Sequence, residues 1–347
     1  MAVKGNLLII NFVMDAGNPL LSHQSEAVEA LSSKFNRITV ITGKIGVFNN
    51  LPNVKVISTN WVNGKSLQNI LRLYIRAIPV IIRGNYNSVF FHMTDLQCAL
   101  LSPIVRLRNR KQYLWYAHTY KSKYLIFASL WVNRIITSTD GSCPIKTPKV
   151  LAIGQAIDEN KFSFIPRKNL KLNKLVHIGR FDKSKNIDTL IKSTENLRIN
   201  YPDIRLTIIG SPGNENSKNW SSQLISNHAL DVEDGWLNFK PAIARSEFSS
   251  VMSDNGCFFH AYIGSLDKTL IESTLCGVPV VTLNPEYLRI FNSWSKLEAP
   301  TLEEEYISMR MMSDSDLGDE ITRRRNIAIQ SHSLNHWINA LTRELQN

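Results

Sequence analysis

Short, almost wholly apolar runs alternate with longer amphipathic stretches, and this rhythm occurs twice along the chain. In the first half the apolar runs are Leu7–Val13, Ile38–Thr42, Val54–Ser58, Val89–Met93, Tyr113–Ala117, Ile135–Ser138 and Val150–Ile153. In the second half they are Leu175–Ile178, Leu206–Ile209, Trp236–Phe239, Cys257–His260 and Val278–Leu283. Strands apolar on both faces belong in a parallel sheet covered by helices on both sides. Helical stretches lie between them: Leu21–Lys34, Leu67–Arg83 and Leu96–Arg108, then Ile187–Ile199, Arg245–Met252 and Lys268–Cys276. The pattern predicts an α/β protein with two doubly wound, Rossmann-like sheets in tandem. The expected domains are 1–165 and 166–330, with a C-terminal helix at 331–347 packing back on the first domain. The linker is expected at Ser163–Asn173, which carries Pro166, Arg167, Lys168 and Lys171 and little that could build a core.

A chain of 347 residues is long enough for two such cores. Its formal net charge of +11 points to a polyanionic partner. Cys98, Cys143, Cys257 and Cys276 are far apart in sequence and form no metal-ligand spacing, so reduced thiols in a cytoplasmic protein are expected. The apolar run at Leu7–Met14 is too short to span a bilayer and has no cleavage site after it. It reads as a buried first strand.

The segment His177-Ile-Gly-Arg-Phe-Asp-Lys-Ser-Lys185 resembles the first signature of family-4 retaining glycosyltransferases, a glycosyl transferases group 1 family of GT-B fold. Arg180 and Lys185 fall on the matching positions. Gly264-Ser-Leu-Asp-Lys-Thr-Leu-Ile-Glu272, continuing through Gly277-Val-Pro-Val-Val281, resembles the second signature. Glu272 matches the second glutamate of that family's pair, while Gly264 stands where the first would be. Asp267 or Lys268 is the candidate substitute. Three shorter segments are also similar to the family: Ile153–Asp158 with Phe162, Tyr116–His118, and the loop Asp15–Asn18.

The resemblance implies two Rossmann-like domains facing each other across a cleft. It also implies a metal-independent hexosyl transfer from a UDP- or GDP-sugar, with retention. The nucleotide sugar would be a co-substrate, and no cofactor is expected. Arg180 and Lys185 would balance charge growing on the leaving diphosphate, one as a planar fork and the other as a point charge. The turn Gly264–Thr269, entering a helix, would add backbone N–H groups. Gly17, Gly264, Ser265, Lys268, Thr269 and Glu272 complete the implied donor site, with Glu272 accepting from ribose hydroxyls. With the leaving phosphate taking the acceptor's proton, His118 would position substrate or stabilise charge rather than act as base. Asn18, His23, Gln24 and His92 are the candidate acceptor contacts. His260 reads as the end of a core strand.

The implied acceptor is a glycan or lipid-linked glycan of a bacterial surface polysaccharide, such as lipopolysaccharide, handled at the inner face of the plasma membrane. The positive charge agrees with that. The helix Leu67–Arg83 carries Leu67, Ile70, Leu71, Tyr74, Ile75 and Ile78 on one side and Arg72, Arg76 and Arg83 elsewhere. Packing of its apolar side into the domain is favoured over docking on an anionic membrane. Asp314-Ser-Asp316 formally matches a metal motif but reads as the capped start of a helix. The rival readings are a nucleotide-sugar epimerase of the same fold and a non-catalytic nucleotide-sugar-binding protein. A nucleic-acid binder ranks last, because the basic runs lack interleaved aromatics.

Overall fold

The computed structural model describes residues 5–18, 21–164 and 171–346. The chain forms two compact units: residues up to Ala156 together with Asn335 onward, and Ile157–Leu334. The division thus falls ahead of the expected 165/166. The reason is packing: Ile157 and Phe162 are buried in one cluster with Phe248, Met252 and Phe258. Residues 165–170 of the expected linker lie outside the described residues. Just after them, Leu172 is anchored in the second unit, its carbonyl accepting from the Tyr306 hydroxyl at 2.9 Å.

The first unit runs β1 (Asn6–Met14), α1 (Ser22–Ser32), β2 (Arg37–Ile45), β3 (Val54–Ser58), α2 (Ser66–Arg83), β4 (Ser88–His92), α3 (Asp95–Leu107), β5 (Lys111–Trp115), α4 (Lys123–Trp131), β6 (Arg134–Thr137) and β7 (Val150–Ala152). Its sheet has the order β3-β2-β1-β4-β5-β6-β7, with every pair parallel. Leu7–Ile10 of β1 and all five residues of β4 are buried, because helices cover both faces of the central strands.

The second unit runs β8 (Lys174–Ile178), α5 (Ile187–Asn200), β9 (Arg205–Ile209), α6 (Glu215–Asn227), α7 (Ala229–Glu233), β10 (Leu237–Lys240), α8 (Phe248–Asp254), β11 (Cys257–His260), α9 (Lys268–Leu275), β12 (Val280–Thr282), α10 (Pro285–Phe291), α11 (Leu302–Arg310) and α12 (Asp314–His332). Its sheet is β10-β9-β8-β11-β12, again parallel throughout. The last helix, α13 (Leu334–Gln346), returns to the first unit. There Trp337 is buried against Trp115, His92 and Phe90, with ring centroids 5.4, 6.0 and 6.3 Å away.

The α2 helix corrects the expectation of simple packing. Its buried residues are Asn69, Leu73, Ala77 and Ile81, whereas Leu67, Leu71 and Ile75 face solvent and Ile70, Tyr74 and Ile78 are half-buried. Leucine and isoleucine occur in both the buried and the exposed sets, so the rotation of the helix, not side-chain size, decides which face is covered.

Asp314 and Asp316 lie in the first turn of α12, where the Ser313 hydroxyl accepts from the Asp316 N–H at 3.1 Å. That is a helix cap. All four cysteines are buried free thiols.

Candidate functional site

In an open parallel sheet, ligands bind beyond the carboxyl ends of the strands where the strand order reverses. In the second unit that point lies between β8 and β11, which are neighbours although not consecutive. The loops leaving these two strands carry Arg180, Lys185 and the Gly264–Thr269 turn.

The loop after β8 is tightly held. The Gly179 N–H donates to the Ile209 carbonyl at 3.0 Å, and the Phe181 N–H to the Ser211 carbonyl at 3.1 Å. Asp182 caps the short turn Lys183–Lys185 by accepting from the Ser184 N–H at 3.0 Å. Asn186 follows in the left-handed region at φ 51°, which a short amide side chain tolerates. Its amide donates to the Ala261 carbonyl at 3.0 Å, joining this loop to the one after β11. Lys185 is turned inward by this arrangement and buried, while Arg180 stays exposed, 3.8 Å from Asp182.

The loop after β11 is braced from below by Asn284, which is fully buried. Its amide nitrogen lies 3.0, 3.2 and 3.2 Å from the carbonyls of Tyr262, Gly264 and Ser265. At the end of this loop Asp267 enters α9 and forms an ion pair with Lys185. The Lys185 ammonium also lies 4.2 Å from the centre of the Tyr262 ring. His260 Nε2 is 3.5 Å from the Asp267 carboxylate, and its Nδ1 is 2.9 Å from the Thr282 hydroxyl. His177, one strand over, donates from Nδ1 to the Phe259 carbonyl at 3.0 Å.

Burial opposes ionisation of Asp267, but Lys185 and His260 more than offset it and hold the carboxyl well below the usual carboxylate range. Burial lowers both histidines. For His260 the Asp267 carboxylate opposes the effect, and for His177 the nearby His260 adds to it, bringing His177 to about 3. Both rings are therefore neutral at physiological pH.

Gly264 has a steric reason. A Cβ there would run into the hydroxyl and ring of Tyr262. The space expected for the first motif carboxylate is filled by that ring, and the acid of this loop is Asp267.

Glu272, expected to accept from ribose hydroxyls, is buried and forms an ion pair with Arg245 from the turn before α8. Thr269, near the start of α9, has a buried hydroxyl with no hydrogen-bond partner among the described residues. Ser265 is buried and Lys268 half-buried at the first position of the helix. The helix ends at Gly277, φ 71°, where a Cβ would also meet the Phe164 ring. Tyr262, Arg245 and Asn284 were not singled out in the sequence. They belong to no motif, and only the fold brings them to these loops.

The first unit treats its candidates differently. Gln24 is fully buried. Its amide oxygen accepts from the Phe12 and Val13 N–H groups at 3.0 and 2.9 Å, and its nitrogen donates to the His92 carbonyl at 3.1 Å. All of that amide's strong bonds brace β1 to β4, which corrects its reading as an acceptor contact. His92 is buried among aromatic rings, so it meets a ligand only if they move. His23 is half-buried with Nε2 3.1 Å from the Met93 sulfur.

The Gly17 N–H donates to the Asp15 carboxylate at 3.0 Å, and the Asn18 side chain accepts from the Leu21 N–H at 2.9 Å. These bonds shape the loop between β1 and α1. His118 is exposed, and its Nδ1 accepts from the Tyr120 N–H at 2.9 Å. In the neutral ring this bond fixes the proton on Nε2, making that atom a donor rather than a base. His118 lies in a cavity of about 860 Å³ in this unit, lined also by Asp95, Tyr116, Tyr120 and Tyr124.

One close-set group of metal-ligating type occurs among the described residues, Glu195, His228 and Asp231, away from both loop clusters. The loops leaving β8 and β11 hold the buried Lys185 ammonium at the start of α9, where it pairs with Asp267, while the exposed Arg180 guanidinium leaves the same end of β8 beside Asp182.

Residues 158–291 match the family model described as glycosyl transferases group 1. No curated protein sequence matches the chain. Among solved structures, HepE of Anabaena in complex with UDP-glucose aligns over 98% of this chain and 99% of its own, with TM-score 0.71 at 15% identity. Sucrose-phosphate synthase of Thermosynechococcus elongatus aligns over 99% of each chain, with TM-score 0.72 at 13% identity. A glycosyltransferase of Rickettsia africae covers 99% of this chain and 98% of its own, with TM-score 0.69 at 14% identity. The two parallel α/β sheets are those of the GT-B fold, and residues 158–291 carry a glycosyl transferases group 1 domain.

Proposed function

We propose that this enzyme transfers a hexose from a UDP- or GDP-sugar to a glycan or lipid-linked acceptor in surface polysaccharide synthesis. We place it in the cytoplasm at the inner face of the membrane and assign it retention of anomeric configuration. The observation that carries the donor assignment is the buried Lys185 ammonium held at the start of α9, at the strand-order reversal of the second sheet, with Arg180 on the same loop. HepE's complexes with UDP and UDP-glucose support the same class of donor.

In this reading the bond between the anomeric carbon and the β-phosphate oxygen breaks while the acceptor hydroxyl attacks from the same face. The acceptor's proton passes to the departing phosphate oxygen. Lys185 and Arg180 stabilise the charge that develops there, so the residues themselves supply the role a metal plays elsewhere. The Thr269 hydroxyl is a ready donor to a phosphate oxygen. Glu272, positioned by Arg245, receives the ribose hydroxyls. His118 donates from Nε2 to the acceptor or the sugar.

Non-catalytic nucleotide-sugar binding is the second reading. It is favoured by the Tyr262 ring filling the space of the missing carboxylate. An epimerase would need additional acid–base groups around these loops.

The test is a panel of UDP- and GDP-sugars in EDTA, scored by melting temperature and by slow donor hydrolysis. One donor is expected to stabilise the protein and be hydrolysed, with Arg180→Ala and Glu272→Gln each losing both effects. Stabilisation without any hydrolysis or transfer would favour the binding protein. No stabilisation by any nucleotide would remove the donor site.

A further inference from the structure

In the first unit, α2, α3 and α4 form one helical layer on the sheet. Leu73, Ala77 and Ile81 of α2 share a core with Leu101 and Val105 of α3 and Leu125 and Ala128 of α4. The outer side of that layer is unusually apolar for a surface. On α2, Leu67, Leu71, Ile75 and Ile82 are exposed by 83, 59, 60 and 47%. At about 100° per residue these four fall in one stripe roughly 80° wide. Lys65, Arg72, Arg76 and Arg83 form a row beside it. On α4, Ile126, Phe127 and Leu130 are exposed beside Lys121 and Lys123, and Leu107 projects from the end of α3.

The charge around this layer has one sign. From Val54 to Val150 there are fourteen lysines and arginines, and the only acids are Asp95 and Asp140. Asp95 is itself occupied by the Ser122 hydroxyl. Exposed leucines and isoleucines gain by leaving water. Arginines beside them gain by meeting anions at the same depth. A bilayer with anionic headgroups offers both over a broad plane. No helix among the described residues is long and apolar enough to cross a membrane, so such a helix layer would lie on the surface.

We propose that the outer face of the α2–α3–α4 layer is the surface by which this protein docks on an anionic lipid bilayer. α2 enters the headgroup region along its Leu67–Leu71–Ile75–Ile82 stripe, and Arg76 and Arg83 pair with lipid phosphates. The inference gives a site to the membrane location in the proposed function and rests on that reading only for its biological purpose.

The test is co-sedimentation of the full chain with vesicles of phosphatidylcholine alone and of phosphatidylcholine with phosphatidylglycerol. The assay contains no nucleotide or sugar, so its failure and a failure of the transferase reading are separate results. Binding is expected only to the anionic vesicles and should fall with added salt. Arg76→Gln and Arg83→Gln should each weaken it about fivefold. The pair Leu71→Asp with Ile75→Asp should weaken it by at least about tenfold while the protein stays folded with only a modest drop in melting temperature, since both side chains are more than half exposed.

Equal binding to both vesicle types, no binding to either, or full binding by the Leu71/Ile75 variant would overturn the proposal. So would a concentration-dependent dimer abolished by those two substitutions with no vesicle binding, which would make a second copy the occupant.

Discussion

Replacing Asp267 by asparagine separates two roles for its carboxylate: holding Lys185 in the apo protein and opposing an incoming diphosphate. Lys185 is buried and its side chain only 9% exposed, against 20% for Asp267. Removing one partner of such a pair costs about 3–5 kcal/mol, and a remaining amide acceptor puts the cost near the lower figure. At about 3 kcal/mol the transition of the second unit should fall by roughly 6–12 °C.

A diphosphate arriving at Lys185 also meets the Asp267 charge. At about 6 Å and an effective dielectric near 20 the repulsion is roughly 3 kcal/mol. Relief of even a third of that makes UDP or GDP bind about fivefold more tightly to Asp267→Asn than to the wild type. The variant should therefore melt earlier alone yet gain more from nucleotide. Melting scans with and without nucleotide, and titration calorimetry at a temperature where both proteins are folded, read the two effects. An Asp267→Asn protein that melts like the wild type refutes the buried pair. One that binds UDP and GDP more weakly refutes the competition and makes Asp267 the group that positions Lys185.

Two further predictions concern the same loops. His177 is held at about 3 by burial, whereas an unfolded histidine titrates near roughly 6.5. Its contribution to stability is full above about 6.5 and is lost as pH falls from there towards about 3. A melting series on His177→Phe, whose ring would stack on Phe258 as the imidazole does, should show a shallower decline over that window. An unchanged slope would reject the assignment. Gly264→Glu, which restores the family's carboxylate, should destabilise by about 1–3 kcal/mol through collision with Tyr262. Adding Tyr262→Ala should recover most of that loss in the same denaturation assay, and a Gly264→Glu protein of wild-type stability would show that the ring moves aside freely.

The two parallel sheets were legible in the amino-acid pattern alone. Each of the twelve apolar runs became a strand, because strands covered on both faces leave a signal that depends on no partner. The pattern also places the candidate site residues Arg180 and Lys185 after β8 and the Gly264–Glu272 segment after β11. A helix without a strong stripe, such as α6, was not legible, because its side chains are largely polar and its placement comes from packing; of α12 only the capped start at Asp314–Asp316 was.

What each polar group is already bonded to depends on long-range packing that the pattern does not carry. Gln24 was a candidate acceptor contact and Glu272 a candidate ribose contact. One proved to be a backbone brace and the other half of an ion pair with Arg245, far away in sequence. The same holds for α2. Periodicity showed that one side was apolar, but which apolar residues meet the core depends on how the helix is rotated on its sheet. That rotation is set by contacts with α3 that no local pattern encodes.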